Sequence, residues 1–330
     1  MTQIIPDFVT PLRSDCWTPN STAPCRYYEH NLGDGIIYII NQFICLFGLM
    51  GNGTVLWCLR RCVMKKPIII YILSLALADF AYLLCCLFVI LVFSVEYFSG
   101  HYCFPWCKVL FTVYKVELFL YSTGMYFLMT ISTERCLCTL FPFWYRCRRP
   151  GWLSGALAVV LWSLAALLCG VNICALWGKT GYQEMDKAIT VVNLSFVTPI
   201  MILSSLILFT KVRCSSQQQQ LGQLSITILL TVFFFIIFAT PLSIKHLFKD
   251  SNKVPNMFYL LASVNSSINP AIYFLVGCRR EKWFSEPLSF VLQRALNEER
   301  NSKKGVVYNT DRQIKNNQGQ KKFVVFIHKT

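Results

Sequence analysis

The chain has 330 residues, of which 55% are hydrophobic and only 14% are charged, and its mean hydropathy is +0.49. Soluble domains carry about 25% charged residues, so this composition excludes a protein whose surface lies mostly in water. The formal charge of +15 fits either nucleic acid or an anionic membrane surface. Because the basic residues flank long apolar runs, we expect membrane lipids as partners and no nucleic acid.

Residues 1–35 are polar and contain four prolines, which disfavour regular structure. No basic region precedes an apolar core here, so the segment lacks the pattern of a cleaved signal peptide. The triplet Asn20-Ser21-Thr22 is an acceptor for N-glycosylation, a modification of extracellular segments. We predict an extracellular N-terminal segment with a glycan on Asn20.

Seven apolar runs follow, and each is longer than the roughly 20 residues that a helix needs to cross a bilayer. They lie near 36–59, 68–94, 106–138, 153–177, 188–213, 221–247 and 255–276. We therefore predict an all-α integral membrane protein with a seven-transmembrane helix bundle over 36–276.

Lysine and arginine residues near the span ends predict the orientation, because cytoplasmic connections carry more of them. The first, third and fifth connections and the segment after the last span are basic: Arg60, Arg61, Lys65, Lys66, Arg146, Arg148, Arg149, Lys211, Arg213, Arg279, Arg280 and Lys282. The sixth connection, with three lysines, is a mild exception. We predict a multi-pass plasma-membrane protein with its N-terminus outside and its C-terminus in the cytoplasm.

Basic and apolar residues alternate over 277–296, which predicts an amphipathic juxtamembrane helix on the inner leaflet. Cys278 lies at its start and is either a palmitoylation site or a free thiol. Residues 297–330 are rich in Lys, Asn and Gln, and we predict a disordered basic cytoplasmic tail.

Polar residues inside a span need a reason, because burying them in a membrane is unfavourable. Asp79 lies in the middle of the second span, where Asn52, Asn265 and Asn269 can meet it in the bundle interior. These groups either join helices by hydrogen bonds or form a cation- or proton-sensitive switch. Helix kinks are expected where a proline removes a backbone hydrogen bond, at Pro199, Pro241 and Pro270. Such kinks are either fixed packing features or hinges.

The third span ends in Ile131-Ser132-Thr133-Glu134-Arg135-Cys136-Leu137, an acid–base pair at the predicted cytoplasmic face. This segment resembles the rhodopsin-class (class A) G-protein-coupled receptors, as do Gly51-Asn52, Leu75-Ala76-Leu77-Ala78-Asp79, Trp162, Pro199, Pro241 and Asn269-Pro270-Ala271-Ile272-Tyr273. The same segment more narrowly resembles the Mas-related receptor family. Four other stretches resemble that family too: Trp144-Tyr145-Arg146-Cys147-Arg148-Arg149-Pro150, Thr198-Pro199-Ile200-Met201, Tyr273-Phe274-Leu275-Val276-Gly277 and Val291-Leu292-Gln293-Arg294-Ala295-Leu296. The resemblance covers about 36–290 and implies a receptor that binds an extracellular ligand and activates a heterotrimeric G protein.

The same resemblance implies roles for individual residues. Arg135 would stay near Glu134 at rest and would meet the C-terminal helix of the G protein in the active state. Tyr273 would swing inward to support that open state, and Asp79 with Asn269 would link the pocket to the cytoplasm through a core that also holds Asn52 and Pro270. The implied partners are G proteins of the phospholipase-linked (Gq/11) and inhibitory (Gi/o) classes, arrestin and receptor kinases.

Two features depart from the wider class. Ala239 stands where most of these receptors carry a toggle tryptophan, and Mas-related receptors commonly lack that tryptophan too. The second extracellular loop, about 178–187, contains no cysteine, so the usual bridge from this loop to the third span cannot form. The remaining outward candidates are Cys16, Cys25, Cys103 and Cys107, while Cys174 lacks a loop partner, and the connectivity stays open.

Glu117 precedes Arg135 by eighteen residues, or five turns at about 3.6 residues per turn, so both lie on roughly one face. In amine receptors the matching position is an aspartate that pairs with the ammonium of the ligand. Glu117 therefore either favours a cationic ligand or pairs internally with Lys115, Lys245 or another polar group.

Further candidates for the pocket either bind a ligand or only pack: Tyr114, Tyr121, Asn172, Phe258 and Tyr259. Glu184 and Asp186 of the second loop either attract basic ligands or are solvated. Family members answer to peptides, purines, amino-acid-like molecules and small amphiphiles, so the resemblance does not choose among these ligands.

Other functional classes find little support. No catalytic order of Ser, His and Asp and no carboxylate pair is recognisable, so we expect no enzyme and no cofactor. His101, Cys103 and Cys107 lack a fourth ligand at a recognisable spacing, so we expect no metal site. The glycine-rich stretch 48–53 lies inside a span, which predicts close helix packing rather than phosphate binding. The alternatives are an orphan class A receptor of a neighbouring branch and a transporter or channel, for which the sequence shows no inverted half-repeat.

Overall fold

The computed structural model describes residues 26–27, 32–60, 67–99, 101–102, 107–178, 182–214, 223–238 and 255–277. Within these ranges the chain is helical, apart from short turns and one pair of two-residue strands. The helices are α1 (Leu32–Leu59), α2 (Pro67–Ser99), α3 (Cys107–Leu140), α4 (Pro142–Cys147), α5 (Leu153–Trp177), α6 (Tyr182–Val192), α7 (Thr198–Cys214), α8 (Gln223–Phe238) and α9 (Pro255–Gly277), and the π-helical segment Asn193–Val197 joins α6 to α7.

Some of the predicted features lie outside the described residues. These are Asn20, Cys16, Cys25, Cys103, Lys245, Ala239, Pro241, Cys278, residues 278–296 of the predicted juxtamembrane helix and the tail 297–330.

Large apolar side chains cover the outside of the described helices, and polar side chains lie inside, as expected for a bundle in lipid. Examples of exposed apolar residues on different helices are Phe43, Met50, Val95, Val159 and Leu203. The buried polar and charged residues include Asn52, Asp79, Lys115, Glu117, Ser132, Asn172, Asn193 and Asn269. This reversed distribution agrees with the low charged fraction of the chain.

Helix α3 runs through the interior of the bundle. It packs against α2, α5, α7 and α8, while the other long helices close a ring around it in which α1 contacts both α2 and α9. On the α5 side, the indole of Trp162 contacts the rings of Phe119 and Phe127, with centroids 6.2 and 5.9 Å apart. Since α3 touches most of the bundle, its polar residues are placed to connect the two ends of the molecule.

Four stretches of the described residues are long and apolar enough to cross a membrane: Gly35–Leu59, Ile68–Val95, Leu153–Trp177 and Glu184–Lys211. The described part of the predicted sixth span, Ser225–Phe238, is apolar but shorter. Helix α3 is less apolar because it buries groups such as Lys115 and Glu117 against its neighbours instead of facing lipid.

Helix α5 is the long helix that is least covered by protein, with 17% of its apolar window buried. Two exposed tryptophans bound it, Trp152 just before its first residue and Trp177 at its last. Tryptophan is enriched at both membrane–water interfaces, so this placement fits a helix that spans the bilayer.

The structure corrects two expectations at the end of the bundle where α3 begins. Strand β1 (Arg26–Tyr27) pairs antiparallel with β2 (His101–Tyr102), with Arg26 opposite Tyr102, although regular structure was not expected in this segment. The predicted loop 178–187 becomes helical at Tyr182, so Glu184 and Asp186 lie on α6. An acidic residue in the first turn and the Glu184–Lys187 pair three residues apart both stabilise a helix start there.

Candidate functional site

Asp79 of α2 and Asn269 of α9 meet in the middle of the bundle. The side-chain amide of Asn269 donates a hydrogen bond to Oδ2 of Asp79 over 2.7 Å, and both residues are buried. A hydrogen bond between two buried polar side chains gives each of them a partner and joins α2 to α9. The predicted meeting of these two residues is therefore present in the structure.

Asn52 binds backbone oxygens rather than the side chain of Asp79 that the sequence suggested as its partner. Its side-chain amide donates to the backbone oxygens of Gly48 and Ser266, each over 3.0 Å, so its described contacts join α1 to α9 rather than to Asp79. A Cβ on Gly48 would come within 2.2 Å of Oγ of Ser267, and one on Gly51 would approach Pro270 to 3.0 Å. The glycine-rich stretch thus serves close helix packing, as predicted.

Tyr273 follows Asn269 by one turn of α9. It is buried and belongs to the same hydrophobic core cluster as Tyr71, Leu75 and Ile131. One turn of α9 therefore links the hydrogen bond between Asn269 and Asp79 to the apolar core around Tyr273.

At the C-terminal end of α3, Glu134 is held by the connection that follows this helix. Its Oε1 accepts a hydrogen bond from the hydroxyl of Tyr145 over 2.7 Å and forms an ion pair with Arg149. Arg149 also donates to Oγ of Ser154 at the start of α5. These contacts tie α3, α4 and α5 together through one carboxylate.

Tyr145 lies in the connection between the third and fourth spans, and its surroundings favour the neutral phenol. Burial raises its pKa above the usual range, and the hydrogen bond to Glu134 and the charge of that carboxylate raise it further. Because the raised pKa keeps the proton in place throughout the physiological range, the hydroxyl remains a donor to Glu134 there.

Arg135 is 9% exposed and lies next to Glu134 on α3. Its backbone oxygen accepts a hydrogen bond from the hydroxyl of Thr139 over 2.9 Å. The structure thus gives Glu134 described partners in Tyr145 and Arg149, which the sequence had not indicated, in addition to its neighbour Arg135.

In the N-terminal half of α3, Glu117 is a buried carboxyl group, and one of its oxygens has no hydrogen-bond partner among the described residues. Its side chain is enclosed by α2, α3 and α9, with Tyr82, Cys86, Tyr114 and Tyr259 around it. Among the described residues, Oε1 of Glu117 has no hydrogen-bond partner, and neither has the hydroxyl of Tyr82. A buried acceptor in this state is unfavourable until a donor reaches it.

Lys115, two residues before Glu117, is engaged elsewhere. Its ammonium forms an ion pair with Oδ2 of Asp186, while Oδ1 of Asp186 accepts a hydrogen bond from the amide of Asn172 over 2.7 Å. Three elements, α3, α5 and α6, therefore meet in one buried polar cluster. Lys115 and Asn172 also line a small cavity between α3 and α5 with Leu118, Phe119, Ser122, Tyr126, Ala165, Leu168, Cys169 and Ile189.

The other predicted pocket residues divide into two groups. Tyr121 contacts Tyr82 with ring centroids 6.2 Å apart, and Phe258 and Tyr259 pack against the core, so these aromatic residues contribute to packing. Glu184 is exposed and pairs with Lys187 over 2.9 Å, away from the buried polar groups. Among the carboxylates described at this end, Glu117 is thus the buried one with an open oxygen.

The fifth span contains a local irregularity that the sequence marked only by Pro199. The π-helical segment Asn193–Val197 precedes this proline, and Thr198 donates to the backbone oxygen of Asn193. The amide of Asn193 donates to Oγ of Ser122 on α3 over 2.9 Å. A single π-helical turn inside an α-helix is frequent at functional sites, and here it brings an asparagine to the central helix.

Comparison with known proteins agrees with this arrangement. The model of the 7 transmembrane receptor (rhodopsin family) matches residues 51–273, from the glycine-rich stretch of α1 to Tyr273 of α9. The Mas-related G-protein coupled receptor member X2 of Homo sapiens is 39% identical over 277 residues, which cover 77% of this chain and 81% of the relative. The chain belongs to the Mas-related receptors of the rhodopsin family.

Other relatives of this receptor support the same placement. The proto-oncogene Mas of Rattus norvegicus is 34% identical over 278 residues, covering 80% of this chain and 84% of the relative. The Mas-related G-protein coupled receptor member D of Macaca fascicularis is 35% identical over 279 residues, covering 80% and 86%. The chain is thus a multi-pass plasma-membrane receptor that signals through a heterotrimeric G protein, and it is not an enzyme.

The structure brings to Glu134 two residues that the sequence did not single out as site residues, Tyr145 and Arg149. Tyr145 and Arg149 had been noted only within a motif of the family, although their basic and aromatic character beside a conspicuous carboxylate was the available signal. Lys115 had been weighed as a partner of Glu117, and the structure pairs it with Asp186 instead. Among the described cysteines, Cys174 is an exposed free thiol.

Proposed function

We propose that the receptor responds to an extracellular ligand that carries a positive charge, and that Glu117 receives this charge. The observation that carries the proposal is the open, buried Oε1 of Glu117, which has no hydrogen-bond partner among the described residues while the neighbouring Lys115 is paired with Asp186. A cationic donor would satisfy both the charge and the missing hydrogen bond. The aromatic residues around Glu117 suit an ammonium or guanidinium group, which binds to the faces of aromatic rings.

The remaining charges restrict the ligand further. Asp186 is paired with Lys115 and hydrogen-bonded by Asn172, so among the described residues Glu117 is the buried carboxyl group of this region that has no cationic partner. A ligand with one cationic group on an apolar or aromatic body is therefore the best match. Peptides, purines and amphiphiles with a single amine all meet this description.

The signal then passes to the cytoplasmic end through the polar core. Ligand binding at Glu117 shifts α3 relative to α2 and α9, which are joined by the Asp79–Asn269 hydrogen bond. Asn52, Pro270 and Tyr273 connect the same region to α1 and to the apolar core. Population shift between two bundle arrangements then releases Arg135 from Glu134 so that it meets the C-terminal helix of the G protein. G proteins of the phospholipase-linked or inhibitory class, arrestin and receptor kinases are the proposed partners.

The proposed topology has seven spans, with the N-terminus outside and the C-terminus in the cytoplasm. It is supported by the family, by the basic connections after the first, third, fifth and seventh spans, and by the interior position of α3, which accounts for its lower hydropathy. The proposal also includes a glycan on Asn20, a juxtamembrane amphipathic helix over 277–296 and lipidation of Cys278.

A guanine-nucleotide exchange assay in reconstituted membranes tests the ligand proposal. Parent and Glu117→Gln receptors are compared on pairs of ligands that differ only in whether their nitrogen is charged, with surface expression measured in parallel. We expect the variant to lose most of the response to the charged member, by about tenfold or more for a charged hydrogen bond worth roughly 1.5–3 kcal/mol. Equal responses of variant and parent across the charged ligands would refute the role of Glu117.

A second pair of variants tests coupling. Arg135→Ala should abolish receptor-catalysed exchange at unchanged surface expression, while the same change at the exposed Arg148 should leave it intact. Exchange retained by Arg135→Ala would contradict the proposed route to the G protein.

A further inference from the structure

Glu134 has one arginine beside it on its own helix and forms an ion pair with a second arginine on the following connection. Arg135 is adjacent to it on α3, while Oε1 of Glu134 is taken by Arg149 and by the hydroxyl of Tyr145. The side chains of Arg149 and Glu134 are only 5% and 10% exposed, so water screens this ion pair weakly. Oε1 of Glu134 therefore binds two residues of the connection that follows α3.

Arg149 is built into this position by more than one contact. Its guanidinium donates to Oγ of Ser154, a fully buried residue at the start of α5, and lies 5.1 Å from the centroid of the Tyr145 ring. The planar guanidinium can serve a carboxylate, a hydroxyl and an aromatic face together, which an ammonium cannot do. Arg149 is therefore held to α3, α4 and α5 at once.

Helix α4, which carries Tyr145, depends on these contacts. It has six residues, and Phe141 at its start makes no side-chain capping hydrogen bond. Helices this short are not stable alone in water, so the tertiary contacts of Tyr145 and Arg149 stabilise it. The conformation of this connection therefore depends on whether Glu134 binds Tyr145 and Arg149, and a change in either one changes the other.

We propose that Arg149, assisted by Tyr145, is a positioning residue that competes with Arg135 for Glu134 and thereby favours the receptor state that engages the G protein. This proposal rests on the proposed function, in which Arg135 must leave Glu134 to meet the G protein. A carboxylate bound by Arg149 attracts Arg135 less, because its charge is already compensated. Removing Arg149 returns Glu134 to Arg135 and lowers the population of the competent state.

The test measures the affinity of nucleotide-free heterotrimeric G protein for the full-length receptor in lipid nanodiscs, without added ligand. Arg149→Gln removes the charge but keeps a hydrogen-bonding side chain, and Arg148→Gln is the matched control at an exposed neighbour. We expect Arg149→Gln to weaken G-protein binding about fivefold through the smaller competent fraction, and Arg148→Gln to leave it unchanged. Arg149→Lys should restore part of the loss, because it returns the charge without the planar fork.

The decisive comparison is made in a Glu134→Gln background. Once the carboxylate is gone, there is nothing for the two arginines to compete for, so adding Arg149→Gln should change the affinity no further. An equal loss in both backgrounds would overturn the competition, and so would an Arg149→Gln receptor that binds as tightly as the Arg148→Gln control.

Two further measurements separate the possible failures. Tyr145→Phe removes only the hydroxyl that donates to Glu134 and should weaken binding about twofold, which keeps the proposal testable if Arg149→Gln receptors fail to fold; an unchanged affinity of a folded Tyr145→Phe receptor would then refute it. Arg135→Ala is run alongside. If it binds the G protein like the parent, the proposed function itself fails, whereas a loss at Arg135 without any loss at Arg149 defeats only the competition.

Discussion

Lys115 and Glu117 are two residues apart on α3, yet they are not paired: the lysine binds Asp186 of α6, and Oε1 of the glutamate has no hydrogen-bond partner among the described residues. Residues two apart on a helix do not face each other, so the helix itself separates the two charges. Among the described residues, this part of the bundle therefore keeps one buried carboxyl oxygen without a hydrogen-bond donor, within a protein whose formal net charge is +15.

Asp186→Asn should weaken the response to cationic ligands, although Asp186 is not proposed to touch them. Loss of this carboxylate removes the counter-ion of the buried Lys115, whose positive charge then repels a cationic ligand at Glu117. Breaking one side of a buried ion pair costs of order 3 kcal/mol, so thermal stability should fall as well. Thermal unfolding and nucleotide exchange are measured on the same preparation.

The double variant Lys115→Met/Asp186→Asn is the control for that experiment. Removing both charges together leaves no buried ion unpaired, so stability and ligand response should recover toward the parent values. A double variant as impaired as Asp186→Asn alone would show that the ion pair does not act by sequestering Lys115.

Gly48→Ala should destabilise the receptor, whereas Gly53→Ala should not. A Cβ at Gly48 would lie 2.2 Å from Oγ of Ser267 and 2.6 Å from Leu83, while a Cβ at Gly53 would meet Phe80 at an ordinary 3.6 Å. Forcing an extra methyl into a packed interface typically costs about 1–3 kcal/mol. Thermal unfolding in detergent compares the two, and equal melting temperatures would argue against close contact between α1 and α9.

Asn269→Ala should uncouple ligand binding from G-protein activation. The change removes the donor that holds Oδ2 of Asp79 over 2.7 Å and leaves a buried carboxylate short of a hydrogen bond. We expect nucleotide exchange at saturating cationic ligand to fall by about tenfold, as for loss of a charged hydrogen bond, with ligand affinity changed less. A variant that loses affinity and exchange in equal proportion would place Asn269 in the ligand site instead.

The pairing of β1 with β2 leads to a prediction about the cysteines left open by the sequence. Arg26 stands opposite Tyr102, and in the sequence Cys25 precedes the first and Cys103 follows the second. Both cysteines lie outside the described residues. Facing residues of an antiparallel ladder are about 4.5–5.5 Å apart at Cα, which suits a disulfide. We therefore expect a Cys25–Cys103 bridge rather than one from Cys16.

Non-reducing peptide mass spectrometry of receptor from the cell surface checks this bridge. The expected product joins the peptides containing Cys25 and Cys103, and it should disappear in Cys25→Ser and in Cys103→Ser receptors alike. A Cys16→Ser receptor with the linkage intact is the control. Peptides linked through Cys16 or Cys107 would show that another pairing is correct.

The sequence was informative wherever one residue type has few roles in a membrane. An aspartate and an asparagine inside spans had to meet polar partners, and Asp79 and Asn269 do so. Long apolar runs likewise predicted where α1, α2 and α5 lie, since lipid leaves the backbone little choice but a helix.

Pairings that depend on the relative rotation of helices could not be obtained this way. Lys115 had several carboxylates within reach in the sequence, and only the continuation of the fifth span as α6 places Asp186 beside it. Arg149 lies in a connection whose short helix has no strong propensity, so its return to Glu134 became visible only with the packing of α3, α4 and α5. In both cases the sequence shows which charged residues are present, but it does not show which of them pair.

The tryptophans at the two ends of α5 should make the tilt of this helix sensitive to membrane thickness. Between Trp152 and Trp177 the helix rises about 37 Å at 1.5 Å per residue, close to the distance between the two interfaces of an ordinary bilayer. In a thinner membrane α5 must tilt to keep both indoles at the interface, and α3 packs directly against it. Because α5 carries Asn172, which contacts Asp186, and Ser154, which contacts Arg149, lipid chain length should change both ligand response and G-protein coupling.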